Sequence, residues 1–450
     1  MKTLIWTAVL VAGFGLMLAS YYGGMRIAHP TPWTDAFMYV GDGPPEVPVA
    51  GLDVREMSVR LLPPSERVRE FEQVLAGAPM PGSRAFSLAF REKLVLDPNF
   101  RTDFTDAMLA SGRLPRSGSG EALAGWATAE RGEFDLDGCV VKVVGVLDRG
   151  VTLFADCYVF PPYPGVGSGD CRAAYVLLVP KAQLLKPEVR RSLAVAFPSA
   201  KFTPLTAQLR VSPTAYFIYL AGMGLLLLGG SMLFIRLYGW LAATVRWRPL
   251  RAPLEAMRAW PRLLAGVHAV TFGSYLVLAA AAYFVPEVQY LGLAAVQHEI
   301  RSGEGPLGWA GRAYMTSIPM ATAVTLAINL VGGSLLSITV PSIVIPGIGF
   351  LMTWVRAAFV GAILAPTTVL LAGHMLPHSL TLLVEMEAYI LAGFFALMVP
   401  IRLFTKTDDA GVLRRWGRAI VLNAQAYLLI AAILAVAAVY EATEVILQAR

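Results

Sequence analysis

Long runs of apolar residues, separated by polar segments, are the feature that most limits how this chain can fold. A run of about 18 or more apolar residues can cross roughly 30 Å of hydrocarbon as an α-helix. Charged residues make up only 15% of the chain, whereas soluble domains carry about 25%. We therefore predict a polytopic α-helical membrane protein with about seven transmembrane helices. The predicted spans are residues 3–22, 213–238, 263–285, 316–340, 347–372, 377–404 and 419–440.

One long polar segment, residues 24–211, separates the first two spans, and its length suits a single domain. The stretches SERVREFEQVLAG and NFRTDFTDAMLASG have helical spacing, with Gly112 as a helix stop. Runs rich in β-forming residues follow at 139–147, 151–160 and 172–180. We predict one α+β extracytoplasmic domain between helices 1 and 2. The predicted organisation is a transmembrane anchor at 1–23, the α+β domain at 24–211 and a six-helix membrane domain at 212–450.

The distribution of arginine predicts the orientation in the membrane. Segment 236–262 holds six arginines and a single acid, Glu255, which is typical of a cytoplasmic loop. This places the N-terminus in the cytoplasm and residues 24–211 outside, in a bacterial inner (plasma) membrane. The first span has a poor cleavage pattern, so an uncleaved anchor is favoured over a signal peptide. Such loops explain the net charge of +6. The sequence contains no basic-aromatic module, so nucleic-acid binding is not expected.

Several chemical motifs are missing from the sequence. No Gly-Lys pair occurs, so the chain has no GxxxxGK[ST] phosphate loop, and it has no GxSxG or HExxH motif. The three cysteines show no zinc-type spacing, but Cys157 and Cys171 flank a loop rich in Pro and Gly. They are a candidate disulfide if the domain is extracytoplasmic. We expect no catalytic residues, no cofactor and no metal, and therefore not an enzyme.

Ionisable residues are concentrated in one otherwise apolar stretch, HMLPHSLTLLVEMEAYILAGF at 374–394. Pro377 suits the first position of a helix, and His378 and Glu385, seven residues apart, then share a face. A structural polar contact between helices is the favoured interpretation, while a proton or substrate path and a metal site are weaker alternatives. With two polar residues of neighbouring spans, the candidate intramembrane residues are Asn329, Arg356, His378, Glu385 and Glu387.

The join between the fourth and fifth spans, VPSIVIPGIGF at 340–350, has two prolines and no charge. It predicts either a tight turn or a broken helix inside the membrane.

A pattern of glycine turns and one valine strand marks the polar segment. It comprises Gly112-Arg113-Leu114-Pro115, Gly120-Glu121-Ala122-Leu123-Ala124, Gly132, Asp137-Gly138 and Val143-Val144-Gly145-Val146. The region of about 105–180 thereby resembles the periplasmic core domain of MacB/FtsX-type ABC exporter permeases. The resemblance implies a small α+β domain between the first two spans and a separate ABC-type ATPase subunit. Those permeases have four spans, whereas seven are predicted here.

A second resemblance covers about 317–404. Its pattern comprises Asn329 with Gly332 and Gly333, Pro377-His378, and Ala388 with Ala392-Gly393. This segment resembles the membrane region of the stage II sporulation protein M family. Ser379 replaces the usual Gly after the histidine, and the acidic residues Glu385 and Glu387 come later than the family's Glu.

These features together predict a permease-type membrane subunit of an ABC export or envelope-remodelling complex. The candidate docking residues for the ATPase are Arg246, Arg248, Arg251 and Arg258, although setting topology explains these arginines equally well. The alternative is a non-transporting membrane scaffold that organises envelope proteins through its outer domain. Other envelope membrane proteins and the lipid bilayer are the further expected partners. An intramembrane enzyme is a weaker third reading, because no nucleophile accompanies His378 and Glu385.

Overall fold

The chain divides into two compact units. The computed structural model describes residues 2–24, 36–41, 55–61, 93–97, 104–116, 118–125, 132–136, 138–148, 157–161, 174–184, 186–197, 203–204, 211–285, 288–289, 292–293, 296, 299–300, 303, 305–405 and 411–448. The helical unit comprises Met1–Tyr22, Phe217–Ala365 and Gly373–Arg450, and the sheet unit comprises Gly23–Tyr216 and Pro366–Ala372.

Helices dominate the described residues. They are α1 (Lys2–Gly24), α2 (Lys181–Leu184), α3 (Pro187–Ala196), α4 (Pro213–Thr244), α5 (Arg248–Ala259), α6 (Pro261–Phe284), α7 (Gly305–Tyr314), α8 (Ile318–Ala327), α9 (Val340–Val344), α10 (Ile348–Ile363), α11 (Val369–Phe404) and α12 (Val412–Gln448). A π-helix, Ile328–Thr339, joins α8 to α9.

Six helices in the described part of the chain are long and apolar enough to cross a membrane. They are α1, α4, α6, the continuous segment Ile318–Val344, α11 and α12. This confirms a polytopic helical membrane protein with a separate sheet region. The fifth predicted span corresponds to α10, whose 16 residues extend about 24 Å and fall short of a 30 Å bilayer core. The count of seven spans therefore stays a prediction.

The break after α10 was missed, since 347–372 is predicted as one helix. The helix ends at Ile363, and Pro366 disfavours helical geometry at the residue before it. The buried side chain of Gln289 donates hydrogen bonds to the carbonyls of Ile363 (3.1 Å) and Ala365 (2.6 Å). The first bond satisfies a carbonyl that the end of the helix leaves without a partner, and the second satisfies one in the break that follows.

Helix α11 begins earlier than predicted, so the placement of Pro377 at a helix start is wrong. The helix starts at Val369 and Pro377 lies within it. Thr368 accepts a hydrogen bond from the Leu371 N–H at its side-chain oxygen (3.2 Å), as an N-terminal cap does. Neighbouring groups make an internal proline tolerable in a membrane helix. The group that Pro377 leaves without its helical donor is the Gly373 carbonyl, four residues earlier. Separately, Tyr440 of α12 donates a hydrogen bond to the Pro377 carbonyl (3.3 Å).

A tight turn connects α9 to α10. It spans 345–347 and depends on Gly347, whose φ of +92° is accessible to glycine at little cost. The Ser342 side chain accepts a hydrogen bond from the Gly349 N–H at 2.7 Å. A turn therefore interrupts the helical path here, and whether it lies inside the membrane stays a prediction.

Glycines bring α1 and α4 into backbone contact. A Cβ placed on Gly13 would lie 2.4 Å from the backbone nitrogen of Leu226, and one on Gly229 would lie 2.6 Å from that of Leu10. Such small residues let membrane helices approach closely. Substituting either glycine requires the two backbones to separate.

The described residues of the sheet unit form ten strands. They are β1 (Ala36–Gly41), β2 (Arg55–Leu61), β3 (Lys93–Leu96), β4 (Leu109–Gly112), β5 (Glu121–Ala124), β6 (Glu133–Leu136), β7 (Cys139–Leu147), β8 (Cys157–Phe160), β9 (Ala174–Pro180) and β10 (Thr203–Pro204). Their order is β10-β1-β9-β2-β3-β8-β5-β7-β4, with β6 also paired to β7. The pairs β3–β8 and β5–β7 are parallel.

Both faces of the sheet bury apolar side chains. One cluster includes Met57, Val159 and Leu178, and α3 packs Val189 and Leu193 against Tyr175 of β9. The predicted strand at 139–147 is confirmed as β7, and β8 and β9 lie within the other two predicted runs. The predicted helix SERVREFEQVLAG lies outside the described residues.

The prediction that Gly112 stops a helix is wrong. Residues 106–108 form one 3-10 turn, and 109–112 form β4. Gly112 has φ +83°, and a Cβ there would lie 2.3 Å from the carbonyl oxygen of Val144. The glycine is needed where β4 ends against its neighbouring strand β7, a tertiary requirement that helical spacing does not reveal.

The loop after β4 is closed by one acid. Glu121 accepts hydrogen bonds from the Arg113 guanidinium (2.7 Å to Oε2) and from the Arg116 N–H (2.9 Å). The side-chain bond from Arg113, followed by the backbone bond from Arg116, lowers the pKa of Glu121 to about 2. The Gly112–Pro115 and Gly120–Ala124 parts of the sequence pattern are thus linked directly.

Candidate functional site

Helix α11 lies at the centre of the helical unit. Of its most apolar 18 residues, 83% are buried, compared with 17% for α1. Gly230 of α4 faces Leu383, and Gly393 faces Thr353 of α10. Glu385 and Glu387 are two residues apart, about 200° around the helix, so they serve opposite sides of α11.

On one side, Glu387 joins three helices. Its Oε1 accepts a hydrogen bond from Tyr238 of α4 (2.7 Å), and its Oε2 lies 2.8 Å from Nε2 of His268 on α6. Glu387 is 0% exposed and His268 is 3% exposed. We call these three residues the Glu387 triad.

The Glu387 triad holds one proton between its acid and its base. The Nδ1 atom of His268 lies 2.8 Å from the Leu264 carbonyl, which can only accept, so Nδ1 carries a hydrogen. Between Nε2 and the carboxyl group, one partner must then donate. The pair is either imidazolium with carboxylate or neutral imidazole with carboxylic acid, and both forms are neutral overall.

On the other side, Glu385 belongs to a larger group that includes Arg356 of α10. The Tyr389 hydroxyl donates a hydrogen bond to Glu385 Oε1 at 3.0 Å. The Arg356 guanidinium carbon lies 4.3 Å from the centre of the Tyr389 ring, which is cation–π geometry. A Cβ on Gly333 would lie 2.7 Å from an Arg356 nitrogen and 2.8 Å from the Tyr389 hydroxyl. Gly333 of the π-helix therefore makes the space that these side chains occupy.

The same side of α11 reaches two acids of α12. Glu444 Oε2 accepts a hydrogen bond from Thr381 at 3.0 Å and lies 3.7 Å from Nδ1 of His378. Glu441 interacts electrostatically with Glu385 and His378. The Glu385 cluster is defined here as Arg356, His378, Glu385, Tyr389, Glu441 and Glu444.

The charges of the Glu385 cluster do not balance if every member ionises. Three carboxylates then face one guanidinium and one imidazolium, which leaves an excess of one negative charge. An uncompensated charge within a membrane protein is costly. Electroneutrality is restored when the cluster takes up one further proton, so the cluster can store and release a proton. The contacts of this cluster also hold α11 against α10 and α12, which is the structural role.

The predicted residues have different surroundings. His378, Glu385 and Arg356 come together in one cluster, with Glu385 interacting electrostatically with the other two. Glu387 lies in the separate triad. Asn329 is the second residue of the π-helix, where its carbonyl accepts a hydrogen bond from the Ser334 hydroxyl at 3.1 Å.

Sequence reasoning missed five residues of these groups. They are Tyr238, His268, Tyr389, Glu441 and Glu444. An ionisable residue within an apolar span is a signal for function or pairing, and this applies to His268. The two acids fall beyond the predicted end of the last span at 440, but α12 continues to Gln448.

The predicted docking residues flank or belong to α5, a short amphipathic helix between α4 and α6. Pro253, Leu254, Ala256 and Met257 are buried, whereas Arg248, Arg251 and Arg258 are exposed. Exposed Arg246 precedes the helix. Arg251 forms a 2.7 Å ion pair with Glu255. The helix therefore buries its apolar face and exposes basic side chains on the opposite face.

The last predicted features are the disulfide and the absence of a metal site. Cys157 lies in β8, but Cys171 lies outside the described residues, so the proposed disulfide stays a prediction. Among the described residues, no group of three or more His, Cys, Asp or Glu side chains could hold a metal ion.

Comparisons with protein-family models and with curated proteins find no match for this chain.

Proposed function

We propose that the chain is a permease-type membrane subunit of an ABC export or envelope-remodelling complex, energised by a separate ATPase. The observation that carries the proposal is α5. It joins two membrane helices, its apolar residues are buried, and its arginines are exposed. In this proposal the protein resides in a bacterial inner membrane, with α5 in the cytoplasm and the sheet unit outside.

The position of α5 suits it to pass on a partner's movement. Only Val245–Trp247 separate it from α4, and only Trp260 separates it from α6. Because its apolar face is buried, a displacement of α5 must also displace its packing partners. An acidic surface on an ATPase would match the exposed arginines by charge.

The test reverses charge on α5. Arg248→Glu with Arg258→Glu leaves the ion pair between Arg251 and Glu255 intact. The matched control reverses Arg190 and Arg191, two exposed arginines of α3. All proteins would be solubilised from cell membranes and captured, and the copurified ATPase activity would be measured.

We expect the α5 variant to insert normally and lose the ATPase, and the α3 variant to retain it. Equal ATPase recovery from both variants at physiological salt would contradict the proposal.

The rival proposal is a non-transporting scaffold, and the Glu387 triad favours it. A triad that ties α11 to α4 and α6 through buried hydrogen bonds resists the helix movements of a transport cycle. The scaffold predicts that no ATPase copurifies with the parent protein. It also predicts that envelope proteins remain bound when α5 is reversed and are lost when the sheet unit is deleted.

A further inference from the structure

A groove of about 740 Å³ lies in the helical unit beside α5. It is bordered by α5, the last turn of α11 and the first turns of α12. Its volume falls within the range of about 300–1,000 Å³ that small-molecule sites occupy. The lining residues that matter here are Glu255, Trp260, Arg402, Arg414, Arg418 and Leu422.

The groove is strongly basic. Arg402 enters from α11, and Arg414 and Arg418, four residues apart on α12, lie on one helix face. The only acid in the described lining is Glu255, which is bonded to Arg251 at 2.7 Å. Three arginines therefore line one groove, and the one acid in its described lining is paired with Arg251.

The groove lies at the level of a membrane surface whichever way the protein is oriented. Arg402 is two residues before the end of α11, and Arg414 is two residues after the start of α12. These helices are consecutive membrane-crossing candidates, so the short connection between them marks one face of the bilayer. Tryptophan is enriched at such interfaces, and Trp260 also lines the groove.

We propose that this groove binds the phosphate headgroup of an anionic phospholipid such as phosphatidylglycerol. Guanidinium groups donate paired hydrogen bonds to phosphate oxygens, and the three arginines supply the positive charge. Val421 and Leu422 line the same groove and provide apolar surface for the start of the acyl chains. This site is independent of the proposed ATPase partner.

The test measures lipid binding to the full chain. Purified protein in a neutral detergent would receive phosphatidylglycerol or zwitterionic phosphatidylcholine, and bound lipid would be counted by native mass spectrometry. The groove variant is Arg402→Gln with Arg414→Gln. The matched control is Arg246→Gln with Arg248→Gln, which removes two exposed arginines outside the groove lining.

Each basic residue near an anionic lipid surface contributes about 1 kcal/mol, or about fivefold in affinity. We expect phosphatidylglycerol to bind the parent and the control equally and the groove variant roughly 25-fold more weakly. Arg402→Lys with Arg414→Lys should recover part of the affinity, because it keeps the charge and loses the paired geometry. Parent-like thermal unfolding of the variants would show that they are folded.

Three outcomes would overturn the proposal. One is equal phosphatidylglycerol binding by the groove variant and the control. Another is equal binding of phosphatidylcholine and phosphatidylglycerol by the parent. The third is displacement of phosphatidylglycerol by an equimolar amount of inorganic phosphate, which would assign the groove to a free anion.

Discussion

Replacing Glu387 with leucine is expected to weaken the attachment of α11 to α4 and α6. Leucine removes both oxygens that face Tyr238 and His268. Interhelical hydrogen bonds in membranes contribute about 0.6 kcal/mol on average and up to about 1.7 kcal/mol. Two such bonds give a loss of about 1–3 kcal/mol. The value of about 3–5 kcal/mol for broken buried ion pairs is too large, because an unfolded chain within the membrane finds other polar partners.

Glu387→Gln should be much milder. The glutamine oxygen can accept the Tyr238 hydrogen bond, and its amide can donate to Nε2 of His268. That nitrogen is an acceptor in the neutral tautomer whose Nδ1–H donates to the Leu264 carbonyl. Both hydrogen bonds of the triad are kept, and only the second amide N–H of the glutamine lacks an acceptor within the triad, so the loss should be smaller than for Glu387→Leu.

The assay is reversible unfolding by a denaturing detergent, followed for the parent, Glu387→Leu, His268→Leu and the double variant. The double variant should lose less than the sum of the single losses, by about 0.6–1.7 kcal/mol. Met386→Leu serves as the neighbouring control, since Met386 is buried and the exchange nearly conserves volume. Strictly additive losses, or a Glu387→Leu protein as stable as this control, would refute the reasoning.

Three further predictions concern the other parts of the molecule. Glu385→Leu should lower thermal stability in detergent because the Tyr389 hydroxyl loses its acceptor, whereas Glu385→Gln should be mild; a transport role would be indicated if Gln preserved the fold and abolished activity. The depressed pKa of Glu121 stabilises the folded state above pH 4.5, and this contribution should disappear as pH falls from 4.5 towards about 2. Unfolding of the protein at decreasing pH, followed by circular dichroism, should therefore show a smaller acid-induced loss of stability in Glu121→Gln than in the parent. Equal losses in the two proteins would count against the Arg113 bond. Ser119→Cys, placed in a cysteine-free background at an exposed position, should react with an impermeant reagent in intact cells, and labelling only after lysis would reverse the predicted topology.

The membrane helices could be predicted from the sequence because hydrocarbon thickness sets the length of an apolar span. Their interruptions could not be predicted in the same way. The break at 364–368 lies within an uncharged run, so hydropathy continues across it. Pro366 was the available signal, and the cap at Thr368 was another. Pro377 misled the interpretation because a proline inside a membrane helix and a proline at a helix start look alike in sequence.

The candidate site was only partly predictable, since most of its contacts join different helices. Their spacing correctly predicts that Glu385 and Glu387 point to different sides of α11, because both lie on one helix of known periodicity. It does not reveal that Glu387 faces His268, 119 residues away, since this depends on how α6 and α11 pack. The lone His268 in an apolar run was a sufficient reason to expect a buried partner, although it could not identify Glu387.

The glycine contact between α1 and α4 has a consequence for the order of events during synthesis. About 190 residues separate the end of α1 from the start of α4. At roughly 5–20 residues per second, α1 would wait about 10–40 s before its partner emerges. During that interval α1 must remain in the bilayer through its own hydrophobicity, without the backbone contact made by Gly13. The segment between them is also long enough to begin forming its sheet before the helix pair closes.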